Sequence, residues 1–316
     1  MRKDVKILVV GAPIALVEEG VSANFDVQYG VGDAEVRGLA VSGGQVRIDG
    51  AFIERFPKLE IVSNFTAGYD HVDVAELARR GVIVTHTPNA LTGEVADLAL
   101  GLLIATVRQL PQADRYLRTG KWLERAHPLT ATLRGRKVGI LGLGRIGKAI
   151  ARRLDACDLE IEYHGRKQQP DVKYQYQPTL LGLAHSCDAL IVAASGGAET
   201  RHIVNRQVLN ALGPDGILIN VSRGTVVDET ALVEALRDER ILSAGLDVFE
   251  DEPRVPAELI AMPHVVLLPH VGSASAYTRN AMGQLMLDNL VSWFDGKGAL
   301  TPVPECRSLA ASKAKD

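Results

Sequence analysis

The stretch KVGILGLGRIGKAIARRL, residues 137–154, constrains this chain more than any other. It opens with an apolar run of strand length, turns on Gly142, Gly144 and Gly147, and continues with Ile146, Ile150 and Leu154 at helical spacing. The spacing predicts strand, tight turn and helix. Gly142 permits the turn, Gly144 lets a pyrophosphate approach the backbone, and Gly147 lets the helix close onto the strand, leaving helix N–H groups aimed at the phosphates. Three glycines fall this way in many loops, but the strand before and the helix after supply the context that a dinucleotide site requires.

A chain of 316 residues has room for two domains, and a hydrophobic share of 47% with 23% charged residues is ordinary for a globular protein. A formal charge of −3 without a basic stripe argues against nucleic acid or an acidic membrane as partner. Cys157, Cys187 and Cys306 are odd in number and far apart, which suits neither a disulfide framework nor a zinc site and points to a reducing compartment. The apolar run at residues 7–10 is too short for a signal-peptide core, and no run reaches membrane-spanning length, so the expected location is the cytoplasm.

Before the glycine turn, residues 6–10, 46–49, 59–63 and 82–84 read as strands and 75–80 as a short helix ended by Gly81. This alternation predicts a parallel, helix-covered sheet. The loop NFTAGYD (64–70) follows one of these strands, where open α/β sheets place ligands; its small residues either offer N–H groups to an anion or serve a turn. Residues 94–119 form an apolar-periodic helix, capped by Thr92 and Gly93 and interrupted near Pro111. That helix crosses between domains, meets a second subunit, or packs in a core. Residues 122–133 read as an irregular connecting arm.

Beyond the turn, 159–164 is the next strand. An acidic residue about 20 positions past the first glycine would accept hydrogen bonds from the ribose, whereas an arginine accommodates a 2′-phosphate. Glu162 falls near that count but inside the strand, and the strand's end reads His164, Gly165, Arg166, Lys167. With no carboxylate there and two cations following, NADP(H) is preferred over NAD(H), which stays possible; a solvated turn is the alternative. Residues 188–193, 216–221, 244–248 and 265–268 are further strands. Arg223, then Asp247 or Glu252, then His270 emerge at or just after the ends of separate strands. A histidine needs a carboxylate partner to fix its tautomer and keep it a competent proton donor, and Glu252 is the candidate. Arginine suits a carboxylate and a carbonyl becoming an alkoxide. With a nicotinamide, this set points to hydride transfer to a 2-oxo acid. The last helix, 276–294, is capped by Ser273 or Ser275 and returns to the first domain, and residues from Glu305 onward are expected to fray.

On VGILGLGRIG (138–147), NVSRG (220–224), GLDVFEDEP (245–253) and LPHVGS (268–273), nearly the whole chain resembles the D-isomer-specific 2-hydroxyacid dehydrogenase family. The resemblance implies an α/β protein of two doubly wound parallel-sheet domains, a Rossmann cofactor domain (96–280) inserted into a discontinuous flavodoxin-like substrate domain (1–95 with 281–316). It implies that Arg223 binds and polarises the substrate, that Glu252 supports His270 as acid/base, that Asp247 holds the nicotinamide amide, and that Ala67 and Gly68 bind the substrate carboxylate with Arg223 and His270. The cofactor contacts it implies are Leu143, Gly144, Arg145, Ile146, Gly165, Arg166, Lys167, Ala194, Ser195, Thr200, Val221, Ser222, Arg223, Asp247, His270 and Gly272. It also implies a homodimer through the cofactor domain, with residues 94–133 in the contact. Within the family, Gly165, Arg166 and Lys167 resemble the NADPH-dependent glyoxylate/hydroxypyruvate reductase branch, and no appended regulatory domain is expected. The loop Ala194, Ser195, Gly196, Gly197 lacks the family's common proline. Two other readings are a nucleotide-sensing binding protein on the same fold and a dehydrogenase of another small anion such as phosphite.

Overall fold

The computed structural model describes residues 2–44 and 46–313, which form two compact units, one of the described residues up to 91 and from 274 onward and one of residues 92–273. The boundaries thus fall before those read from the sequence, at 91 and 273 instead of 95 and 280.

In the first unit the chain order is β1 (Arg2–Gly11), α1 (Ala15–Asn24), β2 (Phe25–Tyr29), β3 (Val36–Ser42), α2 (Gly50–Ile53), β4 (Ile61–Asn64), α3 (Val74–Arg79) and β5 (Ile83–Thr85). The sheet order is β2-β1-β3-β4-β5 with every pairing parallel, the flavodoxin-like arrangement. Residues 46–49, expected as a strand, are not one: Ile48 makes a single bridge to Val72, and the Asp49 side chain accepts from Phe52 N–H to start α2. The strands that occupy the sheet instead are β2 and β3.

The second unit begins with α4 (Thr92–Val107) and α5 (Leu110–Arg118), separated where Gln109 takes a left-handed φ of 48° and Pro111 opens the new helix. There follow β6 (Lys137–Leu141), α6 (Arg145–Asp155), β7 (Glu160–His164), β8 (Gln175–Tyr176), α7 (Leu180–Ser186), β9 (Ala189–Val192), α8 (Arg206–Leu212), β10 (Ile217–Asn220), α9 (Glu229–Arg237), β11 (Ser243–Leu246), α10 (Ala257–Ala261) and β12 (Val266–Leu267). Seven parallel strands lie in the order β12-β11-β10-β9-β6-β7-β8. The direction of winding reverses between β6 and β9, which is the switch point where such sheets bind ligands. β9 and β10 are buried at every residue, as strands covered on both faces must be. Within this unit α4 packs as a core helix: Ala99, Leu102 and Leu103 are buried, and the helix packs on α6, β10 and β11.

The chain returns to the first unit through α11 (Ala276–Phe294), whose N-cap is Ser275, its side chain accepting from Thr278 N–H. α11 packs on α1, β3 and β4. The segment expected to fray is ordered as far as it is described. Asn289 Oδ1, fully buried, accepts from the N–H groups of Leu300 and Thr301 at 3.0 Å each. Val303 N–H bonds Val84 O at 2.9 Å, Cys306 is buried, and Arg307–Lys313 form a last helix, α12. The Asn289 clamp fixes the chain just ahead of that segment, and the burial of Cys306, whose N–H donates to Val303 O at 2.9 Å, anchors its start against the polar composition. Residues 314–316 of that expectation lie outside the described residues.

Candidate functional site

The glycine turn joins β6 to α6 at the switch point. Gly142 has φ 94°, and its N–H donates to His164 O at 2.8 Å, tying the turn to the end of β7. A Cβ there would lie 2.7 Å from Ala194 Cα, the residue leaving β9, and one on Gly147 would lie 2.1 Å from Gly142 O. Both positions exclude any larger residue. A Cβ on Gly144 would meet open space, so this glycine stands where the backbone is accessible and not where the fold is crowded. Gly144 is the N-cap of α6, no side chain caps it, and no acidic residue occupies the first turn. Free N–H groups and the positive end of the helix dipole therefore face outward at Arg145 and Ile146, a cradle suited to a dinucleotide's phosphates. Leu143 turns its side chain into the core.

At the end of β7, Arg166 and Lys167 are exposed, and among the described residues neither has a carboxylate partner. Glu162 is unavailable to a ribose. It is buried, bonded to Lys137 Nζ at 2.8 Å, Gln177 Nε2 at 2.6 Å and Ser186 Oγ at 2.6 Å. Burial would raise its pKa, but these three partners together hold it below the usual carboxylate range. After β9, Thr200 Oγ1 donates to Ser195 O at 2.7 Å, closing the loop that carries Ala194 and Ser195.

Three neighbouring strands, β10, β11 and β12, deliver Arg223, Asp247 and His270 past their carboxyl ends. The turn after β10 is rigid: Asn220 Oδ1 accepts from Ser222 N–H at 3.1 Å, Asn220 Nδ2 donates to Arg223 O at 3.0 Å, and Arg223 NH1 donates to Ser222 O at 2.9 Å. Val221 is buried beside them. Gly224 lets this turn approach the next loop so closely that a Cβ would lie 1.8 Å from the carbonyl carbon of Phe249.

The alternative between Asp247 and Glu252 resolves into two tasks. Asp247 is buried, and its two oxygens accept from Val271 N–H at 2.7 Å and Gly272 N–H at 2.8 Å. Burial raises its pKa against the opposing effect of those bonds. It thereby pins the turn in which His270 takes a left-handed φ of 53°. Glu252 instead meets the imidazole: Oε2 lies 2.7 Å from His270 Nδ1, and Oε1 accepts from Phe249 N–H at 3.0 Å. Burial pushes the Glu252 pKa up, but the His270 and Phe249 bonds and the charges of His270 and Arg223 outweigh it and hold the group below its ordinary value. An ionised carboxylate only accepts, so Nδ1 carries the hydrogen and Nε2 is left for exchange of a proton with a ligand. The second unit thus brings Arg223, Asp247, Glu252, His270 and Gly272 together.

Ala67 and Gly68 belong to the first unit, just past β4. The loop's carbonyls are engaged inward, Ala67 O by His86 Nδ1 at 2.8 Å and Gly68 O by the Asn64 amide and the Thr66 hydroxyl. Among the described residues the Ala67 and Gly68 N–H groups donate to no protein atom, which supports the anion reading of this loop. The half-buried guanidinium of Arg279, its pKa lowered by burial, lies 5.7 Å from the ring centre of Phe65, a residue of the same loop. Neither Arg279 nor Gln169, whose side chain bonds Leu143 O, was singled out from the sequence. Nothing in local spacing marks either; only the folded chain gives them partners.

Residues 100–272 match the family model described as D-isomer specific 2-hydroxyacid dehydrogenase, NAD binding domain. Glyoxylate/hydroxypyruvate reductase A HPR2 of Arabidopsis thaliana is 49% identical over 263 residues, 83% of this chain and 84% of that protein. Hydroxyphenylpyruvate reductase of Plectranthus scutellarioides is 47% identical over 270 residues, 85% of this chain and 86% of that protein. Among solved structures, the NADPH-dependent glyoxylate/hydroxypyruvate reductase of Sinorhizobium meliloti in complex with NADP and malonate is 50% identical, with a TM-score of 0.92 over 95% of this chain and 97% of that one. With its parallel seven-stranded sheet, its glycine turn and these matches, the chain belongs to the D-isomer-specific 2-hydroxyacid dehydrogenase family.

Proposed function

We propose that this protein is an NADPH-dependent reductase of small 2-oxo acids of the glyoxylate and hydroxypyruvate type. The observation that carries the reading is the His270–Glu252 pair at 2.7 Å, with the charge of Arg223 acting on the same carboxylate, in a domain whose glycine turn is built for a dinucleotide. The reductases of Arabidopsis and Sinorhizobium, each about half identical, support the substrate class, and the NADP bound in the latter supports the cofactor.

The cradle at Gly142, Gly144 and Gly147 fits the pyrophosphate, and Arg166 and Lys167 fit a 2′-phosphate. Asp247, Gly272, Ala194, Ser195 and Thr200 hold the remainder. When bound, the nicotinamide supplies the hydride that reduces the carbonyl carbon. Arg223 holds the substrate carboxylate and draws electron density toward the carbonyl oxygen. His270 donates the Nε2 proton to that oxygen, and Glu252 stabilises the imidazolium until the proton leaves. Within the first unit, the N–H groups of Ala67 and Gly68 that donate to no described protein atom support the binding of a small carboxylate by that loop.

Homodimerisation is supported by the surface of α5 and the arm after it. No residue of α5 is buried, and Leu110, Leu117, Trp122, Leu123 and Leu129 are exposed, Leu123 at 94%. Large apolar side chains grouped in this way mark an interface, and a second copy of the chain is the occupant. A cytoplasmic location is supported by cysteine usage, since Cys157, Cys187 and Cys306 are all free. No described helix is long and apolar enough to cross a membrane.

Steady-state rates with glyoxylate, hydroxypyruvate, larger 2-oxo acids and phosphite, each with both nicotinamides, test the reading. It requires NADPH oxidation with a small 2-oxo acid. Reduction of NADP+ by phosphite without turnover of any 2-oxo acid would favour the dehydrogenase of another anion, and binding of NADPH with no turnover of any of these substrates would favour the nucleotide-sensing alternative.

A further inference from the structure

The loop that carries Arg166 and Lys167 is held at both ends by tyrosine hydroxyls. Tyr176 OH donates to Gly165 O at 3.2 Å, and the hydroxyl of Tyr163, a fully buried side chain, accepts from Gln169 N–H at 2.8 Å. The Gln169 side chain then reaches out of this loop to the glycine turn, where Nε2 donates to Leu143 O at 2.8 Å. That orientation of the amide follows from its partner, because a carbonyl oxygen can only accept. The Leu143–Gly144 peptide is trans, so its C=O and N–H point to opposite sides. Drawing the carbonyl toward Gln169 turns the Gly144 N–H the other way, at the uncapped start of α6. The same bond keeps the negative end of the carbonyl dipole away from an incoming anion.

We infer that Gln169 is a positioning residue for the dinucleotide: by holding the Leu143 carbonyl it sets the orientation of the Leu143–Gly144 peptide that receives the pyrophosphate, and so governs affinity for NADPH and NADH alike. This rests on the nicotinamide-dependent activity proposed above. The division of labour with Arg166 and Lys167 is sharp. They meet a group that only NADPH carries, whereas the peptide held by Gln169 meets the pyrophosphate common to both nucleotides.

Two variants of the full chain test it. Gln169→Met keeps the volume without a donor, and Gln169→Glu keeps the shape but presents an acceptor to the carbonyl. Cofactor titrations and steady-state kinetics with saturating glyoxylate would be run on both, with 2′-AMP as a competing ligand that lacks the pyrophosphate. One lost neutral hydrogen bond is expected to raise Kd and KM for NADPH and NADH by the same factor, roughly fivefold for Gln169→Met and more for Gln169→Glu. The kcat at saturating cofactor, the NADPH-to-NADH ratio and the inhibition by 2′-AMP should stay as in the wild type. A rise for NADPH alone, with 2′-AMP weakened in step, would place the effect in the Arg166–Lys167 loop and overturn the assignment. Unchanged affinity for both nucleotides in both variants would overturn it as well. A wild-type protein that binds neither nucleotide refutes the functional reading instead, which keeps the two failures apart.

Discussion

Replacing Gly224 with alanine probes how the acid–base pair is held. The added Cβ would lie 1.8 Å from Phe249 C, 2.0 Å from Phe249 O and 2.3 Å from Glu250 N, all backbone atoms, so no side chain can swing aside. Ordinary carbon contacts begin near 3.4 Å, and the two segments must part by roughly 1.6 Å. Neither segment has slack. The Arg223 side is braced by the Asn220 amide, and Phe249 N–H is bonded to Glu252, which in turn holds His270. The displacement is therefore passed to the pair. A shift of about 1 Å in a reacting geometry costs on the order of 10²-fold in rate, or about 2.7 kcal/mol of transition-state stabilisation. Overpacking of this kind removes a further ~1–3 kcal/mol of stability. The expected result is a kcat for glyoxylate with NADPH at least about a hundredfold lower, with NADPH affinity within about threefold of wild type, because the phosphate turn follows a different strand. Melting curves recorded alongside fix a temperature at which the variant is folded. A folded Gly224→Ala protein that turns over at the wild-type rate would refute the reasoning.

His270→Ala is expected to lower turnover by at least about a hundredfold while leaving NADPH affinity near wild type, since it removes the proton donor and not a phosphate contact; equal loss of both in kinetics and titration would make the residue structural. Because the folded pKa of Glu252 is depressed, its pairing with His270 stabilises the site above the carboxylate's unfolded value and is lost as pH falls through the lowered folded one, so the acid limb of the stability profile should flatten in Glu252→Gln when melting is followed against pH. Arg166→Ala should raise KM for NADPH roughly tenfold and leave NADH unchanged, and an unaltered preference would show that the loop is merely solvated. If the proposed dimer forms through this surface, sedimentation experiments should find the wild-type chain as a dimer and Leu123→Glu combined with Leu129→Glu as a monomer, at no cost to the fold, because both side chains are exposed in the single chain.

What was legible before folding follows from how locally each feature is encoded. The glycine turn is written in consecutive residues, since its φ values and close approaches involve neighbours within one strand–turn–helix unit. Glu162 could be set aside by its place inside a strand, and the fold gives the reason: Lys137, Gln177 and Ser186 occupy it. The β3 strand, by contrast, has Arg37 and Gly38 near its start and lacks the unbroken apolar run that marks a buried strand, although it lies between β1 and β4. Residues 46–49 carry a better strand pattern and make only one bridge. Sheet membership there is decided by which partners are in reach, not by propensity.

By itself the order of residues determined the family-like motifs, the parallel α/β architecture and the three groups that would do chemistry, because each sits at the end of an apolar run whose direction is fixed by alternation with helices. The sequence already nominated Glu252 as the partner of His270, but only tertiary structure decided that Asp247 is buried with its oxygens on the Val271 and Gly272 amides while Glu252 is aimed at the imidazole. The difference arises because hydrogen-bond partners and burial come from β10, β11 and β12 lying side by side, a neighbourhood that exists only once the sheet has closed.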